Sequence, residues 1–361
     1  AMAAEACLRA RKFVPSFAVP FHKGQHGRVV VIGGSIEYSG APCYAAMAAL
    51  RTGADLAWVI CAPEAAGAIK AFSPELIVIP GLPSAEENER VARLPAARRD
   101  AVARLAAQNL LGLVRAARPS AVVVGPGLGR EVAVQAAVSA AIEMLCQGGE
   151  DGTGPAVVLD ADALWAVACK PSIVRGGSRV VITPNAAEAA RIAAAAAAAA
   201  KPEAAAADAR AAAAAAKPGP AEEGGALGLS KALGGGVTVV LKGAEDMVAR
   251  APVPGSAAAK AAGADGADGG EAFAVSHAGS PRRCGGQGDV LAGALGALAS
   301  WAGDDLPAAS AAACAILRDA ARSAFAKHRR ATVTPDILSE LGLAFERVLP
   351  DTLGVELERA E

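Results

Sequence analysis

Short β-branched runs that stop on glycine or a polar residue, each followed by an alanine-rich stretch, constrain this chain more than any other feature of it. Arg28-Val-Val-Val-Ile32 runs into Gly33-Gly34-Ser35; residues 41–54 then read as a helix, and 57–61 as the next strand. The run 120–124 ends at Gly125-Pro126-Gly127-Leu128-Gly129, the run 156–159 at Asp160-Ala161-Asp162, and the run 179–182 at Thr183-Pro184-Asn185. Continuously apolar strands separated by helices predict a parallel sheet covered on both faces. In such sheets a polar ligand is met at the carboxyl ends of the strands, where these motifs stand.

The second half changes character. Residues 237–241, the turn Lys242-Gly243-Ala244-Glu245-Asp246, then 247–250 and 273–276 predict an antiparallel meander. Helices are expected at 290–301, about 307–327 and about 335–348. The fold class is therefore α/β, with a mostly parallel central sheet, helices on both faces and a C-terminal antiparallel portion. Two low-complexity stretches, about 193–230 and 254–270, are rich in alanine and in glycine, alanine and aspartate respectively. They read as surface insertions in one domain over 1–361, because alanine offers too little apolar surface for a core. A linker between two domains fits less well, since the glycine-rich run at 279–288 follows both stretches and needs the sheet before them.

Lys plus Arg (35) nearly balance Asp plus Glu (36), so no general basic field draws nucleic acid or an anionic membrane. The mean hydropathy of +0.34 comes largely from alanine, and no stretch of about 20 strongly apolar residues stands out. The seven cysteines are scattered and never form a Cys-x-x-Cys pair, which suits a reducing compartment better than a disulfide framework or structural zinc. The N-terminal residues hold no apolar core long enough for a secretory signal. A cytoplasmic location is expected, or a plastid or mitochondrion after removal of a transit peptide.

The run Gly279-Ser280-Pro281-Arg282-Arg283-Cys284-Gly285-Gly286-Gln287-Gly288-Asp289 leads straight into an apolar helix. Closely spaced glycines ahead of a helix expose backbone N–H groups, and the helix dipole adds its attraction for an anion. A phosphate is the natural guest. Asp289 would repel it unless it takes a proton from an attacking hydroxyl, which points to phosphoryl transfer. An ordinary carboxylate pKa of about 4 would leave it ionised at neutral pH. The plainer alternative is a helix N-cap. Cys284 is assigned to packing, having no neighbouring histidine in sequence to activate it. His22 and His26 read as surface groups.

The strand-end motifs together resemble the ATP-dependent NAD(P)H-hydrate dehydratase family, whose members repair hydrated nicotinamide cofactors on a ribokinase-like fold. The resemblance runs from about residue 19 to 348 outside the two insertions. It is carried by His22-Lys23-Gly24-Gln25-His26-Gly27, Gly33-Gly34-Ser35 with Tyr38-Ser39-Gly40-Ala41-Pro42, Gly125 to Arg130, Asp160-Ala161-Asp162-Ala163-Leu164, Thr183-Pro184-Asn185 with Glu188, Lys242-Gly243 with Asp246, and the 279–289 run. The wording of that last run resembles the eukaryotic, ATP-using members more than the bacterial ADP-using ones.

The resemblance implies that ATP phosphorylates the 6-hydroxyl of the hydrated ring of the S epimer and that phosphate then leaves, restoring NADH or NADPH. It implies Asp289 as catalytic base. ATP would lie between Lys242, Gly243, Ala244, Glu245, Asp246 and Gly279, Ser280, Pro281, Arg282, Arg283, Cys284, Gly285, Gly286, Gln287, Gly288. Hydrated NAD(P)H would use Gly127, Asn185, Ala186, Ala187, Glu188, Ala189, Ala190 and Arg191 together with Asp289. Mg2+ would come with ATP, organised by Asn185 and Glu188, often through water. These two also read as a helix capping box. Ala189 departs from the family pattern, which usually has an aromatic residue there. Lys242 and the two arginines read either as phosphate contacts or as solvated charges. A separate epimerase is the implied functional partner, and a homo-oligomer is left open. The rival readings are a ribokinase-like kinase of a small thiazole-type or pyrimidine-type alcohol, and a non-catalytic nucleotide-binding protein.

Overall fold

The computed structural model describes residues 2–17, 22–147, 154–200, 225–256 and 269–350. Its centre is one nine-stranded sheet, formed by β1 (Arg28–Ile32), β2 (Leu56–Cys61), β3 (Leu76–Pro80), β4 (Ala121–Val124), β5 (Ala156–Leu159), β6 (Val180–Ile182), β7 (Thr238–Leu241), β8 (Asp246–Arg250) and β9 (Glu271–Val275). The spatial order is β3-β2-β1-β4-β5-β6-β7-β8-β9. Strands β1 to β7 pair in parallel, while β8 is antiparallel to both β7 and β9. The mostly parallel sheet with an antiparallel end is as the sequence predicts. β3 is an addition to that reading. Its Leu-Ile-Val-Ile run lies between polar residues and a proline, and it is an edge strand with Ile77 40% exposed, so its apolar signal is short.

The helices are α1 (Met2–Arg11), α2 (Gly40–Thr52), α3 (Pro63–Phe72), α4 (Ala85–Ala92), α5 (Ala96–Ala117), α6 (Val132–Gln147), α7 (Asp162–Cys169), α8 (Ala186–Ala199), α9 (Gly225–Ala232), α10 (Gln287–Trp301), α11 (Leu306–His328) and α12 (Thr334–Val348). Alternate residues of β1 feed different layers: Val29 and Val31 pack with α2, α10, α11 and α12, whereas Val30 and Ile32 pack with α5, α6, α7 and α8. Burial of both faces is why the strands are apolar without alternation. Among the described residues no helix is long and apolar enough to cross a membrane.

The chain order reverses between β1 and β4, which makes the gap between their ends the topological switch point. The approach there is close: a Cβ on Gly33 would stand 2.1 Å from the Pro126 carbonyl oxygen. Helix α10 runs through the middle of one layer with Val290 to Ala299 buried on every side. A helix that is apolar all round belongs in a core.

Two expectations change in three dimensions. The alanine-rich stretch is not wholly a surface insertion, because its flanks build the core. Ala195 and Ala196 of α8 are buried, as are Ala226, Leu229 and Ser230 of α9. Ser230 Oγ donates to the Val237 carbonyl at 2.6 Å and accepts from the Ala251 N–H at 2.9 Å. Residues 201–224 and 257–268, the middles of the two stretches, lie outside the described residues. His26 is not a surface group: it is 5% exposed, with Nδ1 3.4 Å from Asp55 Oδ1 and its carbonyl accepting from Trp301 Nε1 at 2.7 Å. His22 is exposed.

Gly293 tests the packing of α10. In an open helix Gly→Ala gains about 1 kcal/mol. Here an added Cβ would stand 1.9 Å from the Ala45 carbonyl oxygen of α2, and overpacking against backbone costs about 2 kcal/mol or more. Gly293→Ala is therefore expected to lower the melting temperature, and Gly67→Ala, at an exposed α3 position with nothing within 4 Å, to raise it slightly. Thermal unfolding of the two variants reads both signs.

Candidate active site

Across the carboxyl edge of the sheet stand, in spatial order, Gly127 after β4, Asp160 after β5, Thr183 and Asn185 after β6, and Lys242 after β7. The start of α10 lies over the middle of this row. A Cβ on Gly288 would be 3.4 Å from Asp160 Oδ2 and 3.6 Å from Lys242 Nζ. Asp160 is 2% exposed, and its Oδ1 accepts from Lys242 Nζ and from Thr183 Oγ1, each at 2.7 Å. The backbone N–H of Lys242 donates to the Pro184 carbonyl at 2.8 Å, continuing the β6–β7 pairing past the strand ends. Lys242 is thus neither a solvated lysine nor a cation without a carboxylate.

The electrostatics follow from this crowding. Burial alone would lower the proton affinity of Lys242, but the charge and hydrogen bond of Asp160, with Glu188 and Asp289 nearby, raise it above the usual lysine value. Burial pushes Asp289 up to about 7; the Asp160 carboxylate adds to the rise, Lys242 opposes it, and Asp162 adds a little more. The expectation of an ordinary, fully ionised carboxylate is corrected by burial and, after it, by these neighbours. Nor is Asp289 an N-cap: Gly286 holds that position at φ +94°, and Asp289 lies within the first turn.

A cavity of about 720 Å3 opens beside Lys242 and Gly288. Its walls include Lys242, Gly243, Ala244, Asp246, Gly279, Ser280, Pro281, Arg283, Gln287, Gly288 and Asn185. The volume suits a nucleotide-sized ligand. The N–H groups of Gln287, Gly288 and Asp289 are donors that a helix start leaves without an intrahelical acceptor. Asp246 shapes the wall rather than facing a ligand as a bare charge: its Oδ1 accepts from the Gly243 N–H at 3.0 Å and its Oδ2 from Arg318 Nε at 2.6 Å.

Other residues read as nucleotide contacts lie outside these walls. Glu245 is exposed, and Arg282 Nε donates to the Thr332 carbonyl at 2.8 Å. Cys284 Sγ points at the same carbonyl at 3.1 Å, in keeping with a packing role. Gly285 accepts from Thr334 Oγ1, and Gly286 sits against Tyr44. These contacts hold the loop's shape from α2, from the start of α12 and from Thr332 just before it.

The 185–191 segment divides in a similar way. Asn185 Oδ1 accepts from the Glu188 N–H at 3.0 Å, and Glu188 Oε2 accepts from the Asn185 N–H at 2.8 Å, a complete capping box. Burial raises the pKa of Glu188 against the opposing pull of Lys242. Ala186 and Ala187 are exposed. Ala189 turns into the core with Ile192, so it is not a ligand contact in this structure. Arg191 lies over the Trp165 ring at 5.4 Å, beside Arg130 at 4.9 Å from the same ring, and Ala190 is half-buried next to it. Gly127 lies at φ +60°, where a Cβ would meet the Tyr38 carbonyl oxygen at 2.3 Å. None of these last residues lines the 720 Å3 cavity.

A sequence model of the NAD(P)H-hydrate dehydratase family matches residues 29–342, almost the whole of this arrangement. The chain belongs to that family. It is 39% identical over 349 residues to the ATP-dependent (S)-NAD(P)H-hydrate dehydratase of Bos taurus, covering 94% of this chain and 87% of the relative. It is 36% identical over 353 residues to the Homo sapiens protein of the same name, covering 94% and 83%. The fold resembles the ADP/ATP-dependent NAD(P)H-hydrate dehydratase of Bacillus subtilis co-crystallized with ATP/Mg2+, with a TM-score of 0.57, 17% identity, and coverage of 95% and 97%. It also resembles a ribokinase-like superfamily protein of Enterococcus faecalis, with a TM-score of 0.59, 19% identity, and 95% coverage of each chain.

Within this dehydratase fold, Asp160 and Arg318 are the side chains missing from the site read out of the sequence. Asp160 was visible as a strand-end motif, but nothing local shows that it faces Lys242. Arg318 Nη1 donates to the carbonyls of Ala244 and His277 at 2.8 and 3.2 Å, and Nη2 to that of Gly243 at 3.1 Å. It ties the β7–β8 turn to the chain leaving β9. The signal was a lone Arg-Asp pair within the alanine-rich α11.

Asp289 has a stability signature. Its pKa is raised in the folded protein, so the folded state holds the proton more tightly than the unfolded one. The associated stabilisation is full below the unfolded value of about 4 and is lost as the pH rises through about 7. Asp289→Asn is expected to melt a few degrees above the wild type at pH about 8, the gap closing toward pH about 4. Melting curves across that range measure it.

Proposed function

We infer that this chain is an ATP-dependent NAD(P)H-hydrate dehydratase, converting (6S)-hydrated NADH or NADPH to the reduced cofactor with release of ADP and phosphate. Family membership supports the reaction class. The observation that carries the mechanism is the position of Asp289, one residue beyond the Gly288 backbone and beside the exposed donors of α10. ATP binds in the cavity bounded by Lys242–Asp246 and the 279–288 loop, with its γ-phosphoryl group at the start of α10. The hydrated ring lies on the Gly127 side of Asp289, toward the switch point between β1 and β4.

Asp289 accepts the proton of the 6-hydroxyl as its oxygen attacks the γ-phosphorus. The new O–P bond forms, the bond from the γ-phosphorus to the bridging oxygen breaks, and ADP leaves. The first N–H groups of α10 and the Lys242 ammonium stabilise the charge on the transferred group. The C6–O bond then breaks with departure of phosphate, and loss of the neighbouring ring proton restores the double bond. Phosphorylation matters because hydroxide is a poor leaving group and phosphate a good one. A base raised to about 7 is matched to neutral conditions, because it binds the proton more strongly than an ordinary carboxylate and still ionises near neutral pH.

Mg2+ bound with ATP would supply charge neutralisation on its phosphates. Asn185 lines the cavity and is paired with Glu188 in the capping box, and these two residues would hold the ion through water. Arg191 and Arg130, both stacked on Trp165, put positive charge on the dinucleotide side. A separate epimerase that interconverts the hydrate epimers is the functional partner of this activity.

Mixing the protein with MgATP and hydrated NADPH should produce the near-ultraviolet absorbance of the reduced nicotinamide. The rise should need ATP and should fall by about 10²–10⁴-fold in Asp289→Asn. A stable phosphorylated alcohol without that absorbance would favour the small-alcohol kinase reading.

A further inference from the structure

Lys242 carries one ammonium group among three carboxylates, those of Asp160, Glu188 and Asp289. The contact it makes is with Asp160, at 2.7 Å, inside the sheet edge. Asp160 is buried, and this partner and the Thr183 hydroxyl replace the water its carboxylate has lost. Both Asp160 Oδ2 and Lys242 Nζ face Gly288, whose missing side chain leaves the space between the pair and the first turn of α10 open. Asp289 is the next residue, so the ion pair and the base share one small volume.

We propose that Asp160 is a positioning residue of the phosphoryl-transfer centre: by holding the Lys242 ammonium on its Oδ1, it keeps that cation from pairing with Asp289 and leaves the Asp289 carboxylate able to take a proton. The inference rests on the reading of Asp289 as the base. An ammonium in direct contact with a carboxylate stabilises its ionised form and makes it a weaker base, by about one to three units of pKa. In this structure burial raises Asp289 to about 7 instead, and the Asp160 carboxylate adds to the rise. Asp160 therefore acts twice, through its own charge and by occupying the cation.

The groups facing Asp289 set the sign of each substitution. Asp160 at the end of β5 and Asp162 at the start of α7 favour the protonated form, and Lys242 at the end of β7 the ionised form. Arg130 Nε lies 3.2 Å from Asp162 Oδ1 and offsets part of its charge. Glu188 of α8 acts on Lys242, and the dipole of α10 itself favours the ionised form. Tyr44 from α2 and Thr334 from α12 pack on Gly286 and carry no carboxylate or ammonium to the site. Removing the charge of Asp160 thus takes away a repelling carboxylate and releases the ammonium, and both changes favour ionised Asp289.

The test is a carboxyl-carbon NMR titration of the full chain without nucleotide, with the Asp289 signal identified by its loss in Asp289→Asn. Asp160→Asn should move the Asp289 midpoint down by about one pH unit or more, Asp160→Glu should restore it, and Lys242→Gln should move it up. A natively folded Asp160→Asn with the midpoint unmoved overturns the proposal. If that variant does not fold, a Lys242→Gln midpoint that stays or falls overturns it equally. The acid limb of kcat against pH should follow the same shifts, whereas a purely structural Asp160 would change the rate or the melting temperature and leave the limb in place. The titration needs no turnover, so absence of dehydratase activity counts against the proposed function and an immobile midpoint against this inference.

Discussion

A sheet covered by helices on both faces can meet a polar ligand only along the edge where its strands end, and the rest of this molecule follows from that constraint. Polar side chains placed elsewhere on the strands would lose water without gaining partners. Asp160, Thr183, Asn185 and Lys242 accordingly stand at the ends of β5, β6 and β7. Reversal of the chain order between β1 and β4 opens a gap at one end of this row, and the antiparallel β8 and β9 close the other end with the turn and loop that bound the large cavity.

Placing the start of α10 over that edge requires close backbone approach. α10 sits deep in one layer because Gly293 lets it lie against the Ala45 carbonyl of α2. The loop before its first turn is held from outside by Thr332 and Thr334, which take up Arg282, Cys284 and the Gly285 carbonyl. Arg318 performs the same service for the opposite wall by collecting three carbonyls and the Asp246 carboxylate. Much of the charge near the large cavity is thus spent on shaping backbone, and the donors available to an anion are those of the helix start and Lys242.

The acid–base properties belong to a group of residues rather than to any one of them. Asp160 would be costly to bury alone, Lys242 would lose its proton more easily, and Asp289 would titrate as an ordinary carboxylate in water. Together, burial first and then one cation among three carboxylates leave Asp289 poised near neutrality. The same crowding withholds stability from the folded chain at neutral pH, as sites built for chemistry commonly do.

The sequence by itself determined the strands, the layers and the chemical character of the strand ends. Those depend on local apolar runs and on glycine, aspartate and asparagine at their termini, which are legible residue by residue. It also carried the 279–289 run, because a helix start preceded by glycines has the same donors wherever it is placed. Only the tertiary structure decided which polar groups meet. Lys242 faces Asp160, 82 positions away, Ala189 turns inward, Arg318 reaches back to the β7–β8 turn, and the flanks of the alanine-rich stretch complete the core. Those outcomes depend on the spatial order of the strands and on the depth of α10, which arise from contacts between distant segments and leave no local pattern in the chain.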